Sequence, residues 1–308
     1  MVREKELSSK STKTSSFGVS KRESHDSTRF YNSKLYKDLP QLKKKVEYLD
    51  NSKKIPEEIL DHIILGDSQN MEGVPDNSIH LMVTSPPYNV TKDYDEDLSL
   101  LEYLEFLKAV FAEVWRVLVP GGRVAINIAN IGRKPYLPLH AYIINIMHQI
   151  GFHMRGEIIW NKSASAGVST AWGSFASASN PTLRDIHEYI LVFSKLTNKL
   201  PNENRENTIN KENFIEWTKS IWSFPAVSAK KIGHPAPFPE ELPSRLIEFY
   251  SYKDNIVLDP FMGSGTTALA AIKLQRHFIG YELSKEYVEL ANKRIKAIKS
   301  QTQIDSFF

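Results

Sequence analysis

The sequence predicts an α/β domain: a parallel or mixed sheet of seven strands with helices on both faces. Three observations carry this. From about Pro56, short apolar runs alternate with longer stretches whose apolar residues recur at helical spacing. Four of the short runs stop at Gly, Pro or acidic residues, as buried strands do at their exits. A length of 308 residues with 41% hydrophobic content suits one large domain, or one with a small insertion.

Taken in order, Ile63–Leu65 is a strand ending at Gly66-Asp67, and Ile79–Thr84 is a second, ending at Ser85-Pro86-Pro87. Leu100–Leu118 has helical spacing (Leu104, Leu107, Phe111, Trp115, Leu118) and stops at Pro120-Gly121-Gly122. Val124–Ile128 is a strand, and Leu137–Ile150 is a helix closed by Gly151. Glu157–Trp160 and Tyr189–Phe193 are two more strands. Ile256–Asp259 and His277–Glu282 flank a helix over Thr266–Leu274, and a charged helix, Lys285–Lys299, follows. Two segments break the alternation. Ser163–Asn180 is rich in Ser, Ala and Gly and carries Trp172 and Phe175; Asn198–Lys231 is polar and carries Phe214, Trp217, Trp222 and Phe224. Loops of that length are uncommon in a compact domain unless they have a task.

Composition narrows the class. No apolar run approaches the ~20 residues that span a bilayer, and the N-terminus lacks an apolar signal core, so a cytoplasmic protein with no membrane partner is expected. With no cysteine there is neither a disulfide framework nor a thiolate nucleophile or metal ligand. His140, His148, His153 and His187 lack metal-ligand spacing, and no metal is expected. The formal net charge is +3, yet residues 1–50 alone carry +5. A basic, Ser/Thr-rich arm such as Ser8–Thr28 suits a solvated, flexible tail first and phosphate contact second.

Two stretches carry chemistry. Residues 257–267 read VLDPFMGSGTT. A strand ends in Asp259, Gly263 and Gly265 make a tight turn, and Thr266-Thr267 open a helix whose first N–H groups favour an anion such as a carboxylate. An acid beside that turn suits an ammonium ion, and a methionine moiety offers both groups. The next strand ends in Glu282, where nucleotide-binding α/β folds hold ribose hydroxyls. Residues 83–88 read VTSPPY. Pro86 and Pro87 stiffen the strand exit, so the Pro86 carbonyl and the Ser85 hydroxyl are fixed as two acceptors for one NH₂ group. An aromatic amino group held in this way is drawn toward tetrahedral geometry, and its lone pair becomes available. Tyr88 offers a ring for stacking, worth ~1–3 kcal/mol per base. An amino group inside a duplex is reached only by extruding its base.

These motifs resemble those of the amino DNA methyltransferases. VTSPPY is similar to their catalytic motif, in the serine form of the N4-cytosine enzymes, and VLDPFMGSGTT to their S-adenosylmethionine motif. Catalytic motif first and cofactor motif late resembles the permuted β-class order. The resemblance covers roughly residues 60–295. It implies a Rossmann-like, mostly parallel seven-stranded sheet, with catalytic roles for Ser85, Pro86, Pro87 and Tyr88. It implies cofactor contacts from Asp67, Asp259, Phe261, Gly263, Gly265, Thr266 and Glu282. RVLVPGGRVAINI (116–128) resembles the segment of the fifth strand, EIIWNK (157–162) a strand bordering the base pocket, and HPAPFPEELPSRLIEFYS (234–251) the motif leading into the cofactor strand. Phe238-Pro239 stands where many relatives have Lys-Pro, so no lysine contact carries over.

Charge and resemblance together divide the chain into a basic, flexible arm (1–50), a catalytic domain (51–299) and a tail (300–308). Target-recognition insertions fall at about 163–184 and 198–231. Trp172, Arg184, Trp217, Lys219, Trp222, Lys230 and Lys231 are candidates for DNA contacts there, although packing onto the sheet accounts for at least half of such tryptophans. The loop Asn89–Asp97 is expected to close over the extruded base. Double-stranded DNA is the implied partner, with a homodimer and a cognate restriction endonuclease as further ones. Site-specific N4-cytosine methylation is the leading function. N6-adenine methylation is the alternative, usually headed by Asp or Asn where Ser85 stands; methylation of RNA or protein amides and a non-catalytic nucleic-acid binder are weaker ones. In the predicted topology the strands preceding Ser85 and the Gly263–Gly265 turn are neighbours at a topological switch point.

Overall fold

The protein is described by a computed structural model covering residues 12–13, 23–24, 34, 42–43, 45–88, 98–132, 135–162, 173–227 and 238–305. The chain divides into Met1–Gln41 and Leu42–Phe308. Within the first unit, β1 (Thr12–Lys13) and β2 (Glu23–Ser24) pair antiparallel; the rest of the basic arm lies largely outside the described residues.

The second unit holds β3 (His62–Leu65), β4 (Ile79–Thr84), β5 (Leu118–Ile128), β6 (His153–Asn161), β7 (His187–Ser194), β8 (Ile221–Ser223), β9 (Ile256–Asp259) and β10 (His277–Glu282). They form one sheet of eight strands in the order β3-β10-β9-β4-β5-β7-β6-β8. Only β7 runs against its neighbours. Seven strands were expected. The eighth, β8, comes from the segment read as an irregular insertion and adds to the outer edge of β6, with Ile159 opposite Ile221. Buried Trp222 anchors it, and Phe224 just beyond stacks on Trp160 at 5.2 Å. The packing reading therefore holds for Trp222.

Helices cover both faces, as the alternation predicts. α1 (Leu100–Val117) and α2 (Leu139–Ile150) pack on one. Between β7 and β8 lies α3 (Lys211–Trp217); α4 (Glu241–Tyr250), α5 (Thr266–Lys273) and α6 (Lys285–Asp305) pack on the other face. α1 starts at a capping box, in which Ser99 Oγ accepts from Glu102 N and Ser99 N donates to Glu102 Oε2 at 2.8 Å. It ends at Val117 and the chain enters β5 at once, so Pro120-Gly121-Gly122 lies inside a strand. Lys195 takes over the capping, donating to Leu118 O at 2.6 Å and to Asn77 Oδ1 at 2.8 Å, and burial pushes its amine down to about 8. α2 starts at Leu139 because Pro138 is its cap residue.

Residues just after Leu42 belong with the sheet. His80 Nδ1 accepts from Ile256 N at 3.1 Å, so Nε2 carries the proton and donates to Asp50 Oδ2 at 3.0 Å. Arg205 Nη2 donates to the same oxygen at 2.8 Å. Burial by itself would raise the Asp50 carboxyl; the hydrogen bonds from His80, Ser52 and Arg205 outweigh it and hold the group well below the usual carboxylate range. Among the described residues, no helix is long and apolar enough to cross a membrane.

Candidate active site

β4 and β9 are adjacent parallel strands in register, Leu81 opposite Val257 and Met82 opposite Leu258. Their C-terminal ends are joined by a side-chain bond: Thr84 Oγ1 donates to Asp259 Oδ1 at 2.5 Å across a separation of 175 residues. VTSPPY and VLDPFMGSGTT therefore open onto one crevice. Chain order in this fold changes sheet direction between β9 and β4, where ligands bind in open α/β sheets.

On the β4 side, Ser85 and Tyr88 are part-exposed and Pro86 is buried. Ser85 Oγ lies 3.4 Å from Tyr88 Oη, and Ala129 N donates to Tyr88 Oη at 3.3 Å. Tyr103 from α1 donates to the Pro87 carbonyl at 2.7 Å. No hydrogen bond among the described residues ends on the Pro86 carbonyl. The loop is thus held by its second proline, leaving the first proline's carbonyl and the serine hydroxyl as acceptors. Burial pushes the Tyr88 phenol well above its usual value, and the nearby negative charge of Glu188 adds to this. The expected covering loop, Asn89–Asp97, lies outside the described residues.

On the other side, β10 and β3 supply Glu282 and Asp67. Glu282 Oε2 accepts from Gly263 N at 2.8 Å and Oε1 from Ser284 N at 2.9 Å, which fixes a part-exposed carboxylate at the strand end. Gly66 N donates to the Glu282 carbonyl at 3.0 Å, so exposed Asp67 sits beside it. Gly265 caps α5 at φ 81°, and a Cβ there would lie 2.8 Å from the Ala291 Cβ. Phe261 is part-buried against Phe106, ring centroids 5.8 Å apart. Two acids at neighbouring strand ends, a tight glycine turn and an aromatic wall fit a nucleoside with sugar hydroxyls.

Three expected contacts change character. Asp259 does not face the crevice: it is 1% exposed, Oδ1 accepts from Thr84 and from Phe261 N at 3.1 Å, and Oδ2 accepts from Thr267 Oγ1 at 2.6 Å. Burial pushes its carboxyl up to about 6 against the pull of those donors. The Gly263 N–H is already committed to Glu282. The Thr266 side chain is buried, its hydroxyl 3.4 Å from Arg294 Nη1, so only its backbone is left for a ligand.

One cluster has no counterpart in the sequence motifs. Glu188, at the start of β7, accepts from Asn127 Nδ2 at 2.6 Å and from Lys162 Nζ at 2.5 Å. Asn127 is buried, its Oδ1 has no partner among the described residues, and it lies two positions before Ala129, which holds Tyr88. Lys162 also lies over the Trp160 ring at 5.5 Å. Trp172, Lys230 and Lys231 lie outside the described residues.

Residues 79–293 match the family described as DNA methylase, the N6/N4 methyltransferases. The chain belongs to the N6/N4 DNA methylase family. It is 33% identical over 277 residues to the type II methyltransferase M.MjaI of Methanocaldococcus jannaschii, covering 76% of this chain and 90% of that one. M.ScaI of Streptomyces caespitosus is 31% identical over 251 residues, 75% and 80% of the two chains. Thermus thermophilus TTHA0409, solved with S-adenosyl-L-methionine, superposes with a TM-score of 0.61 at 31% identity, over 76% of this chain and 93% of that one. The PvuII DNA methyltransferase, a cytosine-N4-specific enzyme, superposes with a TM-score of 0.61 at 23% identity over 75% and 84% of the two chains, a likeness of fold. This DNA methyltransferase is an enzyme that acts on DNA with S-adenosylmethionine as cofactor.

Proposed function

We propose that this methyltransferase modifies the exocyclic N4 amino group of a cytosine extruded from duplex DNA at a specific site. The observation that carries the reading is the β4–β9 junction: the Thr84–Asp259 bond sets the Ser85-Pro86 acceptors beside the glycine turn. When bound, S-adenosylmethionine supplies an electrophilic methyl group, held in this reading by Glu282, Asp67, Phe261 and the turn Gly263–Gly265. Ser85 Oγ and the Pro86 carbonyl accept hydrogen bonds from the two N–H groups of the amino group and localise its lone pair on nitrogen; the nitrogen takes the methyl group, becomes cationic and then releases one proton to solvent. Holding the reactants about 3–3.5 Å apart is the largest contribution expected. Tyr88, anchored through Ala129, provides a fixed stacking platform that offsets part of the stacking lost on extrusion. The serine head of VTSPPY supports cytosine through its resemblance to the N4 enzymes. The type II names of the relatives support a cognate restriction endonuclease, and the homodimer implied by the resemblance belongs to the same reading.

The test is to digest DNA from cells expressing the protein and identify the modified nucleoside by mass spectrometry, with sequencing to find the site. N4-methylcytosine is expected. N6-methyladenine would replace the base assignment and keep the reaction, whereas unmodified DNA from an active preparation would reject both.

Two roles in this reading have their own tests. Glu282→Gln should weaken S-adenosylmethionine binding about ten-fold, roughly 1.4 kcal/mol, because an amide accepts less well from Gly263 N and Ser284 N and from ribose hydroxyls. Calorimetric titration showing wild-type affinity rejects that contact. For Glu188 the reading is a positioning one, keeping Asn127 and Lys162 set against the base pocket. Glu188→Gln should lower kcat on DNA about ten-fold with cofactor affinity unchanged; an unaltered kcat leaves the cluster purely structural.

A further inference from the structure

The opposite end of the sheet from the crevice, near the starts of β5 and β9, holds a cavity of about 340 Å³ walled by Arg123, Lys199, Phe214, Phe249, Tyr250 and Tyr252. A second hollow of about 640 Å³ shares Lys199 and Tyr252 with it and adds Lys45. Every ionised side chain around both is cationic, and no carboxylate lines either among the described residues. Arg123 is part-buried. Its guanidinium donates to the Gly121 carbonyl and, at 2.6 Å, to the Asn198 carbonyl. These are neutral acceptors that leave its charge uncompensated and other N–H groups unused. Burial pushes Arg123 down to about 10, and neighbouring Arg155 adds to that. A cation in a concave, partly desolvated wall is most stable with an anion against it. The wall is preformed: a Cβ on Gly121, at φ 81°, would lie 2.0 Å from the Lys199 carbonyl oxygen, so the backbone of 198–200 is seated directly on the strand. The other wall is aromatic, with Phe214 and Phe249 at 5.6 Å and Phe249 and Tyr250 at 4.7 Å.

We infer that this cavity is a second binding site, remote from the methyl-transfer crevice, for a phosphate group carried next to a planar ring, as in a nucleotide. Arg123 and Lys199 take the phosphate; the aromatic side takes the ring. The volume falls within the roughly 300–1,000 Å³ of small-molecule sites. The same chemistry comes from a free mononucleotide or from the backbone of a DNA strand, and the site stands whichever base the enzyme methylates.

The experiment is calorimetric titration of the full-length protein, its cofactor crevice first saturated with S-adenosylhomocysteine, with 5′-CMP, cytidine and inorganic phosphate. One saturable CMP site is expected, with cytidine and phosphate each weaker by about ten-fold or more. Arg123→Met should weaken CMP by at least about ten-fold, while Phe214→Ala should weaken CMP and leave phosphate unchanged. Phe214 is half-exposed, so its variant reports even if Arg123→Met fails to fold. A 5′-phosphorylated dinucleotide that displaces CMP at lower concentration assigns the site to a DNA strand; preference for the mononucleotide assigns it to a free nucleotide. No saturable CMP binding, equal affinity for CMP and cytidine, or CMP affinity unchanged by both substitutions overturns the proposal.

Discussion

Ser85→Ala should lower kcat by about 10²–10³-fold, the loss typical of removing one preorganised polar contact to a reacting group, with cofactor affinity within about two-fold of wild type. The asymmetry follows from the geometry. Ser85 stands on the β4 side of the crevice, and its one hydrogen-bonding neighbour among the described residues is Tyr88 Oη at 3.4 Å. Glu282, Gly263 and Asp67, proposed above to hold the cofactor, are braced from β10 and β3 instead. Truncating Ser85 leaves the Pro86 carbonyl as the sole acceptor from the motif, and the amino group is then free to relax toward planarity. Single-turnover kinetics with saturating cofactor, beside a titration of cofactor alone, check this. Equal losses in both would mean that Ser85 supports the loop rather than the reaction.

Asp259→Ala should destabilise the protein by about 2–4 kcal/mol, because it strands two hydroxyls and a backbone N–H in a dry junction. It should also weaken cofactor binding and turnover together, since both loops hang on that carboxylate. Asp259→Asn separates charge from hydrogen bonding. The folded carboxyl titrates at about 6 against an ordinary value of 3.8. The native state therefore binds the extra proton between those limits, and the group's contribution to stability is full below pH ~4 and lost as pH rises through ~6. Wild-type stability relative to Asp259→Asn should fall by roughly 3 kcal/mol across that window. Urea unfolding of both proteins at several pH values measures it; parallel curves would place the ionised carboxylate in a more solvated setting than its burial implies.

Much of the fold was legible because apolar runs and their Gly, Pro and Asp exits mark strands one at a time. β8 was not: three residues with one buried tryptophan, paired to a strand some 60 residues earlier, leave no periodicity to read. The motif loops were legible because their geometry is local, set by two prolines or by two glycines. What an acid does at a strand end is not local. Asp259 turns inward because Thr84 and Thr267 meet it there, 175 and 8 residues away. Glu188 gained its partners from positions 61 and 26 residues distant. Single-sequence reading finds such residues by type and misses their direction.

The short outermost strand has a consequence for the evolution of specificity. The stretch that the family resemblance implies reads the target sequence is stitched to the sheet margin through Ile221–Ser223 and the Trp160–Phe224 stack. Exchange of that stretch between relatives is therefore not free cut-and-paste: a donor piece must bring its own three-residue seam with a buried tryptophan in it, or leave β6 as a bare, self-associating margin.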